Sequence, residues 1–180
     1  MSQIALVDHR NANAHQRPLL DAAQAQLGSL PTHLNVLANS PVALKALMVL
    51  QGVSREGSLS LQTRERIALA LARHNGCDYC LSAHTALGRD AGLTGNEMAA
   101  NRAGSSEDAK AAVAVKLALS LSEQRGAVSH AELFEAREAG HTEADIVEII
   151  THVGMNLITA MIAKASQLEI DLPKADPGVR

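Results

Sequence analysis

The sequence predicts an all-α protein, and three observations carry that expectation. Apolar residues make up 47% of the 180 residues but aromatics only 1%. The core must therefore come from 32 Ala and 24 Leu, helped by Val, Ile and Met. Ala and Leu head the helix-propensity ranking, whereas strands prefer the β-branched and aromatic residues. Second, helix-start signals recur along the chain, a Ser or Thr followed three positions later by Glu or Asp. Third, Gly and Asn stand where those segments should stop. A β-sandwich or barrel is excluded, and 180 residues suit a single domain, 1–180, burying roughly two-thirds of its unfolded surface.

Taken in order, this punctuation predicts about seven to eight helices. The first runs near His15 to Leu27, with Pro18 in its first turn and Gly28 closing it. Pro31 and Pro41 open two more, the second continuing to Gly52. Ser60 caps a helix that ends near His74 at the stop signal Asn75-Gly76. A helix bearing Cys77, Cys80 and His84 follows, ending near Gly88 or Gly92. Thr94 with Glu97 predicts a capping box and a short helix to Ala103. Ser105 with Asp108 predicts the start of an Ala-rich helix to Glu123, and Ser129 with Glu132 and Thr142 with Asp145 open the last two. A polar, Pro-bearing tail follows Ile170.

Charge and hydropathy exclude several functions. The net charge is −3, with no basic run long enough for a phosphate-binding stripe, so nucleic acid is not expected as a partner. The start lacks an apolar leader segment, and the weakly polar stretch from Ile149 to Ala163 falls short of the ~20 residues of a membrane span. A soluble cytoplasmic protein is expected, with no membrane association. The final helix is apolar around its whole circumference, from Ile146 to Ile162. It must be either a central core helix or one whose outer face a second subunit covers, and we expect a homo-oligomer.

The chemistry concentrates around the two cysteines. Cys77 and Cys80 are too close in sequence to staple a fold, which leaves redox chemistry or metal. Following Asn75-Gly76, they sit at a helix N-terminus, where unpaired N–H groups and the helix dipole stabilise a thiolate. His84 lies four residues after Cys80 and seven after Cys77, so the three side chains share one helix face. An imidazole there can take a thiol proton. Glu65, twelve residues before Cys77, shares a stripe with Ala68, Leu69 and Ala72, where a carboxylate needs a partner. If its helix packs on the next, Glu65 reaches His84 directly or through one water. The helix terminus favours Cys77 as the first nucleophile, while the step to His84 favours Cys80.

Arg64-Glu65-Arg66 followed by Cys77-x-x-Cys80-x-x-x-His84, with the first Cys twelve positions after the Glu, resembles the signature of the carboxymuconolactone decarboxylase and alkylhydroperoxidase (AhpD-like) superfamily. The resemblance spans about residues 41–98. It implies an AhpD-like helical bundle assembled as a trimer or hexamer, with peroxidase or thiol-disulfide activity. The roles it implies are Cys80 as the peroxide-attacking thiol, Cys77 as its resolving partner, and His84 with Glu65 as proton relay. Two departures stand out: Tyr79 occupies the place where alkylhydroperoxidases have a His, and decarboxylase members generally lack the Cys pair.

Competing readings attach to the same residues. Cys77, Cys80, His84 and Glu65 number four as zinc ligands require, but three on one helical face is an uncommon structural-zinc geometry, and no metal is expected. Tyr79 either fills space or offers its hydroxyl to a peroxide oxygen. His152 and Asn156, four apart in the last helix, could reach a site but are read as satisfied core groups. His9, His15, His33, His74, His130 and His141 have no companions at useful spacing, and Arg64, Arg66 and Arg73 read as solvated helix-face charges. The expected function is a peroxidase that passes through a Cys77–Cys80 disulfide without a bound cofactor. An external dithiol or thioredoxin-like partner would recycle it. The alternatives are a decarboxylase-like enzyme using His84 and Glu65 as acid and base, and a redox-sensing or metal-binding oligomer.

Overall fold

The computed structural model describes residues 2–170, so the polar tail lies outside the described residues. Nine α-helices form among them and no strand: α1 (Arg17–Leu27), α2 (Thr32–Leu37), α3 (Pro41–Val53), α4 (Leu61–His74), α5 (Asp78–Asp90), α6 (Gly95–Arg102), α7 (Ala109–Glu123), α8 (His130–Glu138) and α9 (Glu143–Ser166). The count exceeds the expected seven to eight, although each helix lies near a start signal read from the sequence, the six-residue α2 following Pro31.

The start signals translate into caps with one shift and one surprise. Ser60, Ser129 and Thr142 each accept the backbone N–H three residues on, and the last two form complete capping boxes with Glu132 and Asp145. The cap of α7 is Asp108, not Ser105, since the Asp108 carboxylate takes the Ala111 N–H. Thr94 caps α6 through the Glu97 N–H, but the Glu97 side chain does not return to Thr94. It is drawn elsewhere, as described below.

The central element is α4, which packs against α5, α6, α7 and α9. Its buried run Ile67-Ala68-Leu69-Ala70-Leu71-Ala72 alternates large residues with alanines, so neighbouring helices approach on several sides. Ile67 and Leu71 enter one apolar cluster with Val115, Ala118 and Ile149 from α7 and α9. Leu69 and Ala72 enter a second, which holds Cys77, Tyr79, Cys80, Met98, Ala160 and Ala163. A third cluster, built on Leu20, Leu34, Leu44 and Leu47, joins α1, α2 and α3.

Helix α9 is therefore not the central helix. Ile146, Ile149, Val153, Ala160 and Ala163 face inward, while Val147, Ile150, Leu157, Ile158 and Met161 remain exposed, Met161 at 62%. At 24 residues it also runs longer than the weakly polar stretch suggested, so by length and composition it could cross a membrane. Its inner face packs on α4 and α7 as a core helix does.

Candidate active site

The turn between α4 and α5 builds the site. Asn75 ends α4, and Gly76 takes φ 58°, a left-handed conformation that a side chain would oppose. The Cys77 N–H then returns to the Ala72 carbonyl at 3.0 Å. This reversal makes Cys77 the N-cap of α5, its sulfur accepting the Cys80 N–H at 3.2 Å. Cys77 and Cys80 lie at disulfide distance with Cα atoms 5.3 Å apart. Both are buried within the second cluster.

The same hairpin sets α4 alongside α5 and brings Glu65 to His84, with His84 Nδ1 2.8 Å from Glu65 Oε2. Both side chains are largely covered, so the expected direct contact is present and the buried carboxylate has its partner. With the Nδ1 proton donated to the carboxylate, the imidazole is fixed in the tautomer whose Nε2 lone pair can take a proton. Cysteine pair, imidazole and carboxylate thus occupy one hairpin.

Tyr79 is buried and turned toward α2. Its hydroxyl accepts the His33 N–H at 3.4 Å and lies 3.5 Å from His33 Nδ1, the rings meeting edge to face at 6.0 Å. His33 therefore has a companion that local spacing could not reveal, because 46 residues separate the pair. His9, His74 and His141 likewise meet acidic partners, Asp21, Glu123 and Asp145. Among the described residues, no group of three or more His, Cys, Asp or Glu is arranged to hold a metal ion.

Of the three arginines read as solvated, only Arg73 is exposed. Arg64 donates to the Ser54 carbonyl at 2.9 Å, and Arg66 donates through Nε to Glu97 Oε1 at 2.6 Å. The reason is the central position of α4, which leaves little of its surface to solvent. Glu97 also takes hydrogen bonds from Ser106, Asn101 and the Glu107 N–H. Burial pushes its pKa up, but these hydrogen bonds outweigh it and bring the carboxyl down to about 2. A polar depression of about 320 Å³ opens beside this pair, lined among others by Gln62, Thr94 and Asp108, and it does not include the cysteines.

The turn, the cysteine pair and the Glu–His contact fall within a segment, residues 41–122, that matches the carboxymuconolactone decarboxylase family. The segment runs from the start of α3 nearly to the end of α7, beyond the stretch where the sequence resemblance was drawn. Two peroxidase-related proteins share the fold. One, from Silicibacter sp. TM1040, superposes with a TM-score of 0.79 at 23% identity over 93% of this chain and 89% of its own. The other, from Ralstonia eutropha JMP134 and described as an alkylhydroperoxidase AhpD core, gives 0.80 at 21% over 94% and 92%. The debrominase Bmp8, solved with 2,3,4-tribromopyrrole, gives 0.74 at 15% over 95% and 92%. No curated protein matches the chain. The matched segment thus lies in an AhpD-like helical fold, shared with proteins described as peroxidase-related and as a debrominase.

Proposed function

We propose that this protein is a thiol-dependent peroxidase in which Cys80 attacks a hydroperoxide, Cys77 resolves the product, and His84 with Glu65 moves the proton. The observation that carries the reading is the coexistence, on one hairpin, of a Cys pair at disulfide distance and a hydrogen-bonded Glu65–His84 pair. An acid–base enzyme would need only the second of these. In the proposed cycle, His84 Nε2 takes the Cys80 proton, and the thiolate attacks the terminal peroxide oxygen, breaking the O–O bond. The departing alkoxide receives that proton and leaves as an alcohol, with Cys80 now a sulfenic acid. The Cys77 sulfur displaces the sulfenic hydroxyl, and the Cys77 proton accompanies it as water. An external dithiol or thioredoxin-like protein reduces the disulfide, and no bound cofactor takes part. A peroxide oxygen within reach of the pair would share the Tyr79 hydroxyl with His33.

The reading includes a cytoplasmic location, where dithiol reductants are plentiful, and a homo-oligomer, trimer or hexamer. The exposed α9 stripe of Val147, Ile150, Leu157, Ile158 and Met161 supports the assembly, since such a stripe is costly in water. Light scattering of Met161→Glu should then show a smaller particle than the parent protein. A monomeric parent would refute the assembly. The activity is tested by mixing reduced protein with cumene hydroperoxide and counting thiols. Loss of two thiols per chain with release of one alcohol is expected, and thiols that persist under excess peroxide would refute the peroxidase.

A further inference from the structure

The end of α9 borders the cysteine site, and a cation stands there that the relay does not use. Ala160 and Ala163 of α9 belong to the apolar cluster that holds Cys77, Tyr79 and Cys80. Lys164 follows Ala160 by four residues, so the two share a helix face and the lysine stands one turn beyond the cluster. Its ammonium donates to the Asn75 carbonyl at 2.7 Å, a contact that spans 89 residues of sequence. Asn75 is the C-cap of α4 and lies two residues before Cys77.

The carbonyl that Lys164 meets belongs to the turn that aims Cys77. Gly76 reverses the chain at φ 58°, the Cys77 N–H returns to the Ala72 carbonyl, and the Cys77 sulfur caps α5. The dipole of α4 favours a cation at this end, which explains part of the contact. The same place adjoins the thiol that is further from a base: His84 stands one turn from Cys80 but two turns from Cys77. The other charges in the adjoining turns are Arg73 and His74 at the end of α4 and Asp78 at the start of α5. His74 faces Glu123 at 3.6 Å, and Asp78 opposes a thiolate. Lys164 is hydrogen-bonded to the turn itself.

We propose that Lys164 is a positioning residue for Cys77. It holds the Asn75–Gly76 turn, and its charge favours the Cys77 thiolate, the form that displaces the hydroxyl from an oxidised Cys80. The lysine exchanges no proton and no electron in this role. It lowers the free energy of the charged form of one sulfur. The consequence for the resolving step rests on the peroxidase reading, whereas the effect on Cys77 ionisation does not.

The test measures iodoacetamide alkylation against pH in the reduced full-length chain carrying Cys80→Ser, which leaves Cys77 as the sole thiol. Lys164 is exposed, so replacing it leaves the core untouched. Lys164→Met should raise the midpoint of thiolate formation by about half a pH unit and slow alkylation about threefold at pH 7, the size of a partly screened charge pair. Lys164→Arg, which keeps both charge and donor, should stay close to the parent. In about 0.5 M salt, where the Debye length falls to about 4 Å, parent and Lys164→Met should converge. No shift in Lys164→Met, an equal shift in Lys164→Arg, or a gap that persists in salt would overturn the proposal, the last by marking a merely structural tie. With Cys77→Ser instead, Cys80 is the sole thiol and Lys164→Met should shift it less; an equal shift there would also overturn the assignment to Cys77. A chain that resists peroxide yet shows the Cys77 shift would refute the peroxidase and leave this role standing, and one that consumes peroxide without the shift would do the reverse.

Discussion

Two buried carboxylates, Glu65 on the central helix and Glu97 packed against it, show a contrast that separates a candidate working group from a structural one. Glu97 is met by Arg66, Asn101, Ser106 and the Glu107 N–H, so its charge is permanent and its geometry fixed. Glu65, the residue before Arg66 in α4, has His84 as its one side-chain hydrogen-bond partner among the described residues. A saturated carboxylate ties α4, α6 and the α6–α7 turn together. A sparsely held one bonded to a titratable group can exchange a proton without dismantling its surroundings. Burial alone does not distinguish the two.

The sharpest way to test this division is to remove the thiol that the Glu65 side serves. Cys80→Ser should abolish single-turnover peroxide oxidation at every pH, with rates at the buffer baseline. His84→Ala should leave a thiol with an ordinary pKa near ~8.5, only about 3% thiolate at pH 7, and lower the rate by roughly 30-fold. Raising the pH toward that value should restore much of the loss. Glu65→Gln should fall between the parent and His84→Ala, since an amide still hydrogen-bonds but cannot carry charge. A parent-like rate in His84→Ala at pH 7 would mean that the helix terminus activates the thiol alone.

The Glu97 side should respond in stability instead. A carboxyl lowered to about 2 in the fold, against an unfolded value of 4.5, contributes stability that is complete above pH 4.5 and is lost as pH falls toward 2. Chemical denaturation of Glu97→Gln at pH 7 should show a loss of up to about 3 kcal/mol, shrinking as both proteins are acidified. Its thiol reactivity should stay at the parent level. If Glu97→Gln slows the thiol, or Glu65→Gln destabilises as strongly as Glu97→Gln, the division fails. The smallest effect is expected away from both: Thr142→Ala should cost about 1 kcal/mol through the lost α9 cap, with activity unchanged.

Much of this was legible in the sequence because its signals are local. The caps at Ser60, Ser129 and Thr142, the stop at Asn75-Gly76 and the placement of Cys77 at a helix start all depend on neighbours within four residues. The Glu65–His84 contact was reachable because a short turn leaves two helices little choice but to pack side by side. What escaped depends on pairs distant in the chain. Glu97 reads as a capping-box residue until Arg66 and Ser106 are seen to claim it. Tyr79 and His33 belong to helices whose mutual placement no spacing reveals. Likewise, α9 reads as uniformly apolar, and only the packing of α4 decides which of its faces is turned inward.

Cys77 also serves as the first hydrogen-bond acceptor of α5, so the sulfur that would form a disulfide also secures a helix end. A gain or loss of charge on that sulfur must be felt by the Cys80 amide, since a thiolate accepts its N–H more strongly than a neutral sulfur does. The backbone amide of Cys80 becomes a built-in gauge of thiol state, readable by its hydrogen-exchange rate without any added label. For the same reason Ser, whose hydroxyl can still cap, is the right replacement for Cys77 when only the sulfur chemistry is to be removed. Ala in that position would unfasten the first turn of the helix that carries His84, and would confuse a frayed helix with a missing reactant.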